Sequence, residues 1–310
     1  MSESASKAAD LHIFNQFIAR SQKFAPLPVA VAWPLSDVAL GGAIEAAEKG
    51  IIKPILVGAK DKIEALAAKL GLDLSKSTIV DAPSEVAAAQ QAVALCRSDE
   101  AKALMKGSLH TDDLMRAVVN KETGLRTASR ISHAFIFDVP TYDRTFLVTD
   151  AAVNIVPDLK TKIHILNNAI GLAHALGIAE PKVALLSAVE VLNPKIPSTV
   201  DYVEIVKMAK NGEFPGSIID GPLSFDLAIS ANSAAIKKVN SPVSGQPDIL
   251  LTPDLESGNI LIKALVYLAK AQVAGIVLGA KVPIILTSRA DSAESRLTSC
   301  AVASIYANAK

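Results

Sequence analysis

The order of apolar runs along the chain limits its fold more than any single residue does. PVAVAWP (28–34), KPILVG (53–58), STIVDA (77–82) and ALMKG (103–107) are apolar almost throughout rather than at alternate positions. That is the pattern of strands buried on both faces. Each run is followed by a helical pattern: 37–49 closing at Gly50, a second ending at Gly71, an Ala-rich stretch over 84–100, and a fourth near 111–119. Strand–helix–strand repetition of this kind calls for parallel strands joined by crossover helices. SHAFIFDVP (132–140) and RTFLVTDAA (144–152) leave no room for a helix between them, which predicts an antiparallel hairpin. The alternation then resumes with a helix over 158–176 that stops at Gly177. Further strands are expected at 182–189, 217–220, 248–252, 273–279 and 282–287, and helices at 198–211, 224–237, 257–271 and 292–308.

These elements exceed one small sheet, and 310 residues at ~150 per domain give about two domains. The fold class expected is α/β, with two α/β/α domains, largely parallel sheets and a cleft between the halves. No internal repeat, low-complexity tract or linker separates the halves, so they are expected to share an interface or exchange elements. Half the residues are hydrophobic but only 4% are aromatic, which leaves Ala, Val, Ile and Leu to build the core. Lys+Arg and Asp+Glu both total 31. Zero net charge argues against a broad footprint for nucleic acid or an anionic membrane, while a local basic pocket stays open. Cys96 and Cys300 are the only cysteines, far apart and without a Cys/His cluster. That excludes a disulfide scaffold and argues against a thiolate metal site. MSESASKAAD has no basic segment leading into an apolar one, and the most apolar stretch, 260–287, is broken by Lys263, Lys270 and Lys281. Neither a secretory signal nor a membrane span is expected, so the chain reads as a soluble cytoplasmic protein.

Ligands of such sheets bind beyond the C-terminal ends of the strands. Four segments at those ends carry polar groups with Gly or Pro or an Arg–Asp pair: Lys106-Gly107-Ser108, Asp220-Gly221-Pro222, Thr252-Pro253-Asp254 and Ser288-Arg289-Ala290-Asp291. The arginines sharpen this. The chain has eight, four of them Arg116, Arg126, Arg130 and Arg144, and two more, Arg289 and Arg296, near the C-terminus. None lies between 145 and 288. Arginine is favoured where a planar fork must hold phosphate or carboxylate in fixed geometry. Arg289, directly after the apolar VPIILTS, reads as an anion ligand. Arg116 and Arg130 are further candidates, while Arg144 and Arg296 read as surface ion pairs. His110 follows the Lys106 strand end and could touch a ligand. GxGxxG, GxxxxGK[ST], GxSxG and HExxH are all absent, and the five histidines do not form a ligand set.

VPIILTSRADSAESRL (282–297) resembles the C-terminal signature of the phosphate acetyl/butyryltransferase family, the phosphotransacylases. MKGSLHTDDLMRAVV (105–119), VALLSAVEVLNPKIPST (183–199), IIDGPLSFDLAIS (218–230) and PDILLTPDLESGNILIKAL (247–265) agree in order with the same family. SRADSAE is closer to the butyryl branch than to the SRGxSxED run of the acetyl branch. The resemblance implies two α/β/α domains like those of isocitrate and isopropylmalate dehydrogenases, with the C-terminal helix returning to the first domain. On this reading residues 1–147 with 288–310 form the first domain and 148–287 the second. It further implies an active site in the interdomain cleft of a cytoplasmic homodimer. The implied reaction is reversible transfer of a short acyl group, acetyl or butyryl, between coenzyme A and inorganic phosphate. Its substrates are acyl-CoA, acyl phosphate and phosphate, with no metal or prosthetic group in the chemical step and coenzyme A as a substrate.

Carried over by position, Ser288 would stabilise the tetrahedral oxygen and Arg289 would hold phosphate. Arg116 matches a family arginine with a one-residue offset. Asn259 and Lys263 match the PDLxxGNIxxK block, whose helix starts where N–H groups can meet phosphate; a capping role for Glu256 or Ser257 is the structural alternative there. Arg130 is a candidate for phosphate or for the phosphates of coenzyme A, and Lys106, His110 and Asp220 for substrate contacts from the strand ends. The acetyl branch has an aspartate as base six residues after the signature arginine. Here that position is Ser295, so Asp291 or Glu294 would take its place, with Asp220 or Asp226 as the next carboxylates. Two other readings compete. One is a non-catalytic acyl-CoA-sensing module like the C-terminal part of bacterial malic enzymes. The other is a dehydrogenase of the same architecture, which would need a metal-binding aspartate cluster and a nucleotide loop.

Overall fold

The computed structural model describes residues 12–286 and 292–309. By their contacts the residues gather into two compact units, Met1–Ser129 with Ala274–Lys310, and Arg130–Val273. The chain therefore changes unit at 129/130 and 273/274, whereas the sequence reading placed the crossings at 147/148 and 287/288. Strand pairing explains the difference. The expected hairpin pairs onward with strands of the second unit, and 274–286 pair with a strand of the first.

In the first unit the strands are β1 (Leu27–Ala32), β2 (Ile52–Gly58), β3 (Thr78–Asp81), β4 (Ala103–Lys106), and β10 (Gln272–Leu278) and β11 (Ile284–Ile285) from the C-terminal stretch. Their order is β3-β2-β1-β4-β11-β10. All neighbours are parallel except β10 and β11, which meet antiparallel at Val277 and Ile284. The helices are α1 (His12–Ser21), α2 (Asp37–Glu48), α3 (Lys60–Leu70), α4 (Glu85–Arg97), α5 (Thr111–Val118) and α11 (Ala293–Asn308). Serines start three of them: Ser36, Ser84 and Ser292 accept the N–H of Ala39, Ala87 and Ser295. Gly71 ends α3 in the left-handed region at φ +66°, which costs glycine nothing.

Small residues let these layers approach closely. Ala39, Ala43, Ala46 and Ala47 face inward on α2, and Ala88, Ala89 and Ala92 on α4. Helix α11 packs against both α1 and α2 and is buried from Ser295 to Ile305.

The second unit holds β5 (Ser132–Asp138), β6 (Phe146–Thr149), β7 (Lys182–Leu186), β8 (Ile218–Leu223) and β9 (Ile249–Leu251), in the order β5-β6-β9-β7-β8. β5 and β6 form the expected hairpin, with Phe135 opposite Val148 and Phe137 opposite Phe146, and the remaining pairs are parallel. Its helices are α6 (Leu159–Ala175), α7 (Pro197–Lys210), α8 (Phe225–Ile229), α9 (Ala231–Ile236) and α10 (Leu255–Tyr267). The aromatics concentrate here: Tyr142 meets Phe146 edge-on at 5.6 Å, and Phe137 stacks on Phe146 at 6.0 Å. The helix expected over 224–237 is two, because Ser230 adopts an extended conformation and its hydroxyl caps α9 through the Ser233 N–H. Among the described residues no helix is long and apolar enough to cross a membrane.

Candidate functional site

In the first unit the ends of β1 and β4 are zipped together by backbone. Gly107 N–H donates to the Ala32 carbonyl at 2.8 Å, and Ser108 gives both its N–H (2.8 Å) and its hydroxyl (2.9 Å) to the Trp33 carbonyl. A Cβ at Gly107 would stand 2.3 Å from the Ala32 oxygen and 2.4 Å from the Trp33 oxygen, so only glycine permits this approach. Lys106, the last residue of β4, is 6% exposed. Its ammonium curls back to the carbonyls of Gly107 and Leu109, at 3.2 Å each, and so fixes the turn that leads into α5.

Beside this turn lies a cavity of about 240 Å³, lined by Ser36, Val38, Ala39, Lys106, Gly107, Ser108 and Arg296. It sits where parallel strands β1 and β4 end, the usual place for a ligand in such a sheet. Arg296 comes from the first turns of α11 and is 4% exposed. Gly42 on α2 makes room for it, since a Cβ there would stand 3.3 Å from the arginine Cδ. The described lining therefore includes two buried cationic side chains, with the Lys106 ammonium held by the Gly107 and Leu109 carbonyls and the Ser108 hydroxyl by the Trp33 carbonyl. Cys300, one turn further along α11, is no nucleophile: burial raises its thiol to about 12, with Arg296 pulling weakly the other way.

In the second unit a buried carboxylate organises the end of β6. Asp150 accepts the N–H groups of His133, Ala152, Val153 and Asn154. Desolvation still raises its pKa, more than these hydrogen bonds lower it. Asn168 donates to the Arg130 carbonyl at 2.9 Å and to the Ser132 hydroxyl at 2.8 Å, which holds the start of β5.

Comparison with known proteins agrees with this framework. The profile of the family described as "Phosphate acetyl/butaryl transferase" matches residues 84–304. The chain is 53% identical to "Phosphate acetyltransferase" of Rhizobium meliloti, over 95% of this chain and 93% of that protein. It is 41% identical to "Phosphate butyryltransferase" of Clostridium acetobutylicum, over 96% and 99%. The crystal structure of a branched-chain phosphotransacylase from Enterococcus faecalis V583 superposes with a TM-score of 0.79 at 33% identity, over 91% of this chain and 99% of that one. This chain belongs to the phosphate acetyl/butyryltransferase family.

Within that family framework the expected site residues fall in different places. Lys106 lines the cavity. His110 stands at the N-cap of α5 without a side-chain capping bond and is exposed. Arg116 is exposed on α5 and pairs with Asp113 at 2.9 Å, and it is not part of the cavity lining. Glu294 is in the first turn of α11, half-buried and two residues before Arg296. Ser288, Arg289 and Asp291 lie outside the described residues. Ser295, where the acetyl branch has its aspartate, is buried and hydrogen-bonded to the Ser292 hydroxyl at 3.1 Å through its N–H and again through its own hydroxyl.

In the second unit Arg130 lies two residues before β5 and is exposed; Asp158, held low mainly by its hydrogen bonds with Thr161, is lowered further by the nearby Arg130 charge. Asp220 is half-buried inside β8, opposite Ala184, because the strand runs on to Leu223 rather than ending at 220 as expected. Asn259 reaches the Ala151 carbonyl at 3.4 Å, a tether for the start of α10, and Lys263 is exposed one turn later. The cap of α10 is neither Glu256 nor Ser257 but Asp254, which accepts the Ser257 N–H at 2.8 Å. Arg144 forms the expected ion pair, with Asp248 at 3.0 Å. Arg296 does not fit the surface-pair reading, for it is buried at the cavity. Asp150 was also missed; the only signal for it was an aspartate between an apolar strand and a run of small residues.

Proposed function

We propose that this chain transfers a short acyl group reversibly between coenzyme A and inorganic phosphate. Membership of the family carries the reaction class. The observation in the fold that supports it is that Lys106, at the end of β4, and Arg296, seven residues after Arg289 in sequence, line one small cavity at the strand ends. Toward acyl-CoA, the thiol of coenzyme A gives its proton to Asp291 or Glu294. A thiol of pKa ~8.5 is only a few per cent thiolate at pH 7, so such a base raises the reactive fraction. The thiolate attacks the carbonyl carbon of the acyl phosphate. The C–S bond forms, the tetrahedral oxygen is met by Ser288, and the C–O bond to phosphate breaks as the protonated carboxyl returns its proton to the leaving oxygen, so that hydrogen phosphate departs held by Arg289. No metal or prosthetic group enters these steps.

The relatives matched along nearly the whole chain carry acyltransferase names, so the acyl-CoA-sensing alternative is not favoured. The family resemblance also brings a cytoplasmic homodimer to this reading; light scattering that returns the mass of a single 32.4-kDa chain would contradict the dimer. The reaction is tested by supplying acetyl, propionyl or butyryl phosphate with coenzyme A. Thioester should accumulate as thiol disappears, one for one. Loss of thiol without thioester, or no loss at all, overturns the proposal.

A further inference from the structure

We infer that the outer face of α10 is a self-association surface: two copies of this chain meet there across a two-fold axis, with their α10 helices antiparallel and crossing at Ala264. The inference rests on the homodimer of the proposed reading and gives that dimer its contact residues; it does not depend on acyl transfer.

A helix with one apolar face buries that face and wets the other, whereas a helix apolar all round needs cover all round. α10 is of the second kind. Its inner face packs Leu261, Ile262, Leu265 and Val266 into the core of the second unit. Its outer face is apolar as well: Ile260, Tyr267 and Leu268 are 69%, 61% and 82% exposed, and Ala264 between them is half-buried. Positions 260, 264, 267 and 268 are spaced i, i+4, i+7 and i+8, so they form one stripe rather than scattered surface residues. More apolar surface lies next to the helix start, where the Leu255 N–H donates to the Ile155 carbonyl at 3.0 Å and seats Ile155 and Val156, both exposed.

The stripe is complementary to itself. Ile260 and Leu268 lie four residues to either side of Ala264, so antiparallel pairing about that alanine sets each Ile260 against the partner's Leu268. A small residue at the crossing lets the two helices approach closely. The charges obey the same symmetry. Glu256 stands in the first turn of α10 and Lys270 just past the last, both exposed, and neither forms an ion pair among the described residues. Antiparallel pairing brings each Glu256 to the partner's Lys270, once at either end of the contact. Lys263 flanks the stripe and keeps its ammonium in water. Opposite charges at the two ends of an apolar stripe centred on a small residue fit a second copy of the same helix, an isologous contact.

The experiment measures the dimer dissociation constant of the full chain by analytical ultracentrifugation, with circular dichroism as the check on folding. Ile260→Asp puts a charge into the stripe and should weaken the dimer by about 100-fold or more, the scale of losing a central interface anchor. Val86→Asp, at an exposed valine of α4, should leave the constant within about twofold. Glu256→Lys should weaken the dimer several-fold, and adding Lys270→Glu to it should restore the affinity. Ala264→Cys should give an interchain disulfide on oxidation with diamide, because residues at a two-fold axis face their own copies, while Cys96 and Cys300 are buried. If Ile260→Asp does not fold, the charge exchange and the cross-link decide. Unchanged affinity in folded Ile260→Asp, an equal loss in Val86→Asp, a double variant no tighter than Glu256→Lys alone, or no cross-link through Ala264→Cys overturns the inference and leaves the homodimer to another surface. An unmodified protein that is monomeric at every concentration removes both. A dimer held by this stripe that transfers no acyl group defeats the acyltransferase reading alone.

Discussion

Single residues divide sharply into those that do chemistry and those that hold the fold. Arg289→Ala should lower acyl transfer by ~10²–10³ or more, the scale of losing a group that meets developing charge, with circular dichroism unchanged. Of Asp291→Asn and Glu294→Gln, one should cost ~10²–10⁴ in turnover and flatten the alkaline rise of rate with pH, as removal of a general base does. If both variants turn over normally, Asp220 and Asp226 are next to be tested. His133 belongs to the other group. It is fully buried against Phe135 at 3.9 Å with neither ring nitrogen hydrogen-bonded, and burial drops its pKa to about 3. An unfolded histidine takes up its proton near 6.5, so between pH 6.5 and about 3 the unfolded chain binds the extra proton and the native state loses stability as pH falls. That loss approaches ~1.4 kcal/mol per pH unit. His133→Phe should remove this slope and leave activity near normal. Equal urea midpoints for the two proteins' pH dependence would show that the imidazole is not buried as described.

At the scale of elements, the turn from β4 into α5 is where packing and site coincide. Gly107→Ala drives a Cβ into the Ala32 and Trp33 carbonyls, and neither backbone atom can swing aside as a flexible side chain would. The variant should lose about 1–3 kcal/mol of stability, the range of overpacking. A denaturation midpoint like that of the unmodified protein would contradict this. Elements of this kind were legible wherever one residue type carried the signal. Apolar runs located the eleven strands of the described residues, helices stopped where Gly50, Gly71 and Gly177 stand, and the short 140–144 gap gave the β5–β6 hairpin. Three features were not legible, each because its cause is tertiary. α1 was not expected, yet Phe14 and Phe17 bury it. Ser230 breaks a continuous helical pattern by capping the next helix. α11 is buried on nearly all sides by α1, α2 and the sheet, so its polar residues give no amphipathic stripe that separates a buried arginine from a surface one.

For the whole molecule, the α/β class and the family follow from pattern and signature, and the two compact units follow from strand pairing. Neither could be placed to the residue beforehand, because a strand's unit is decided by its partner and not by its own composition. The same limit governs acyl preference. SRADSAE points to the butyryl branch, while identity is 53% with a protein named as an acetyltransferase and 41% with one named as a butyryltransferase. Side-chain volume around the acyl group decides between a methyl and a propyl chain. One extra methylene in an apolar pocket is worth only ~1–3 kcal/mol, so the preference is expected to be graded rather than absolute.

The most direct test of the central claim is release of free thiol from acetyl-, propionyl- and butyryl-CoA, followed side by side with and without inorganic phosphate. Phosphate-dependent release from at least one of the three, saturating in phosphate, is the expected result. Release that is the same whether or not phosphate is present, or none from any of the three, would contradict the account.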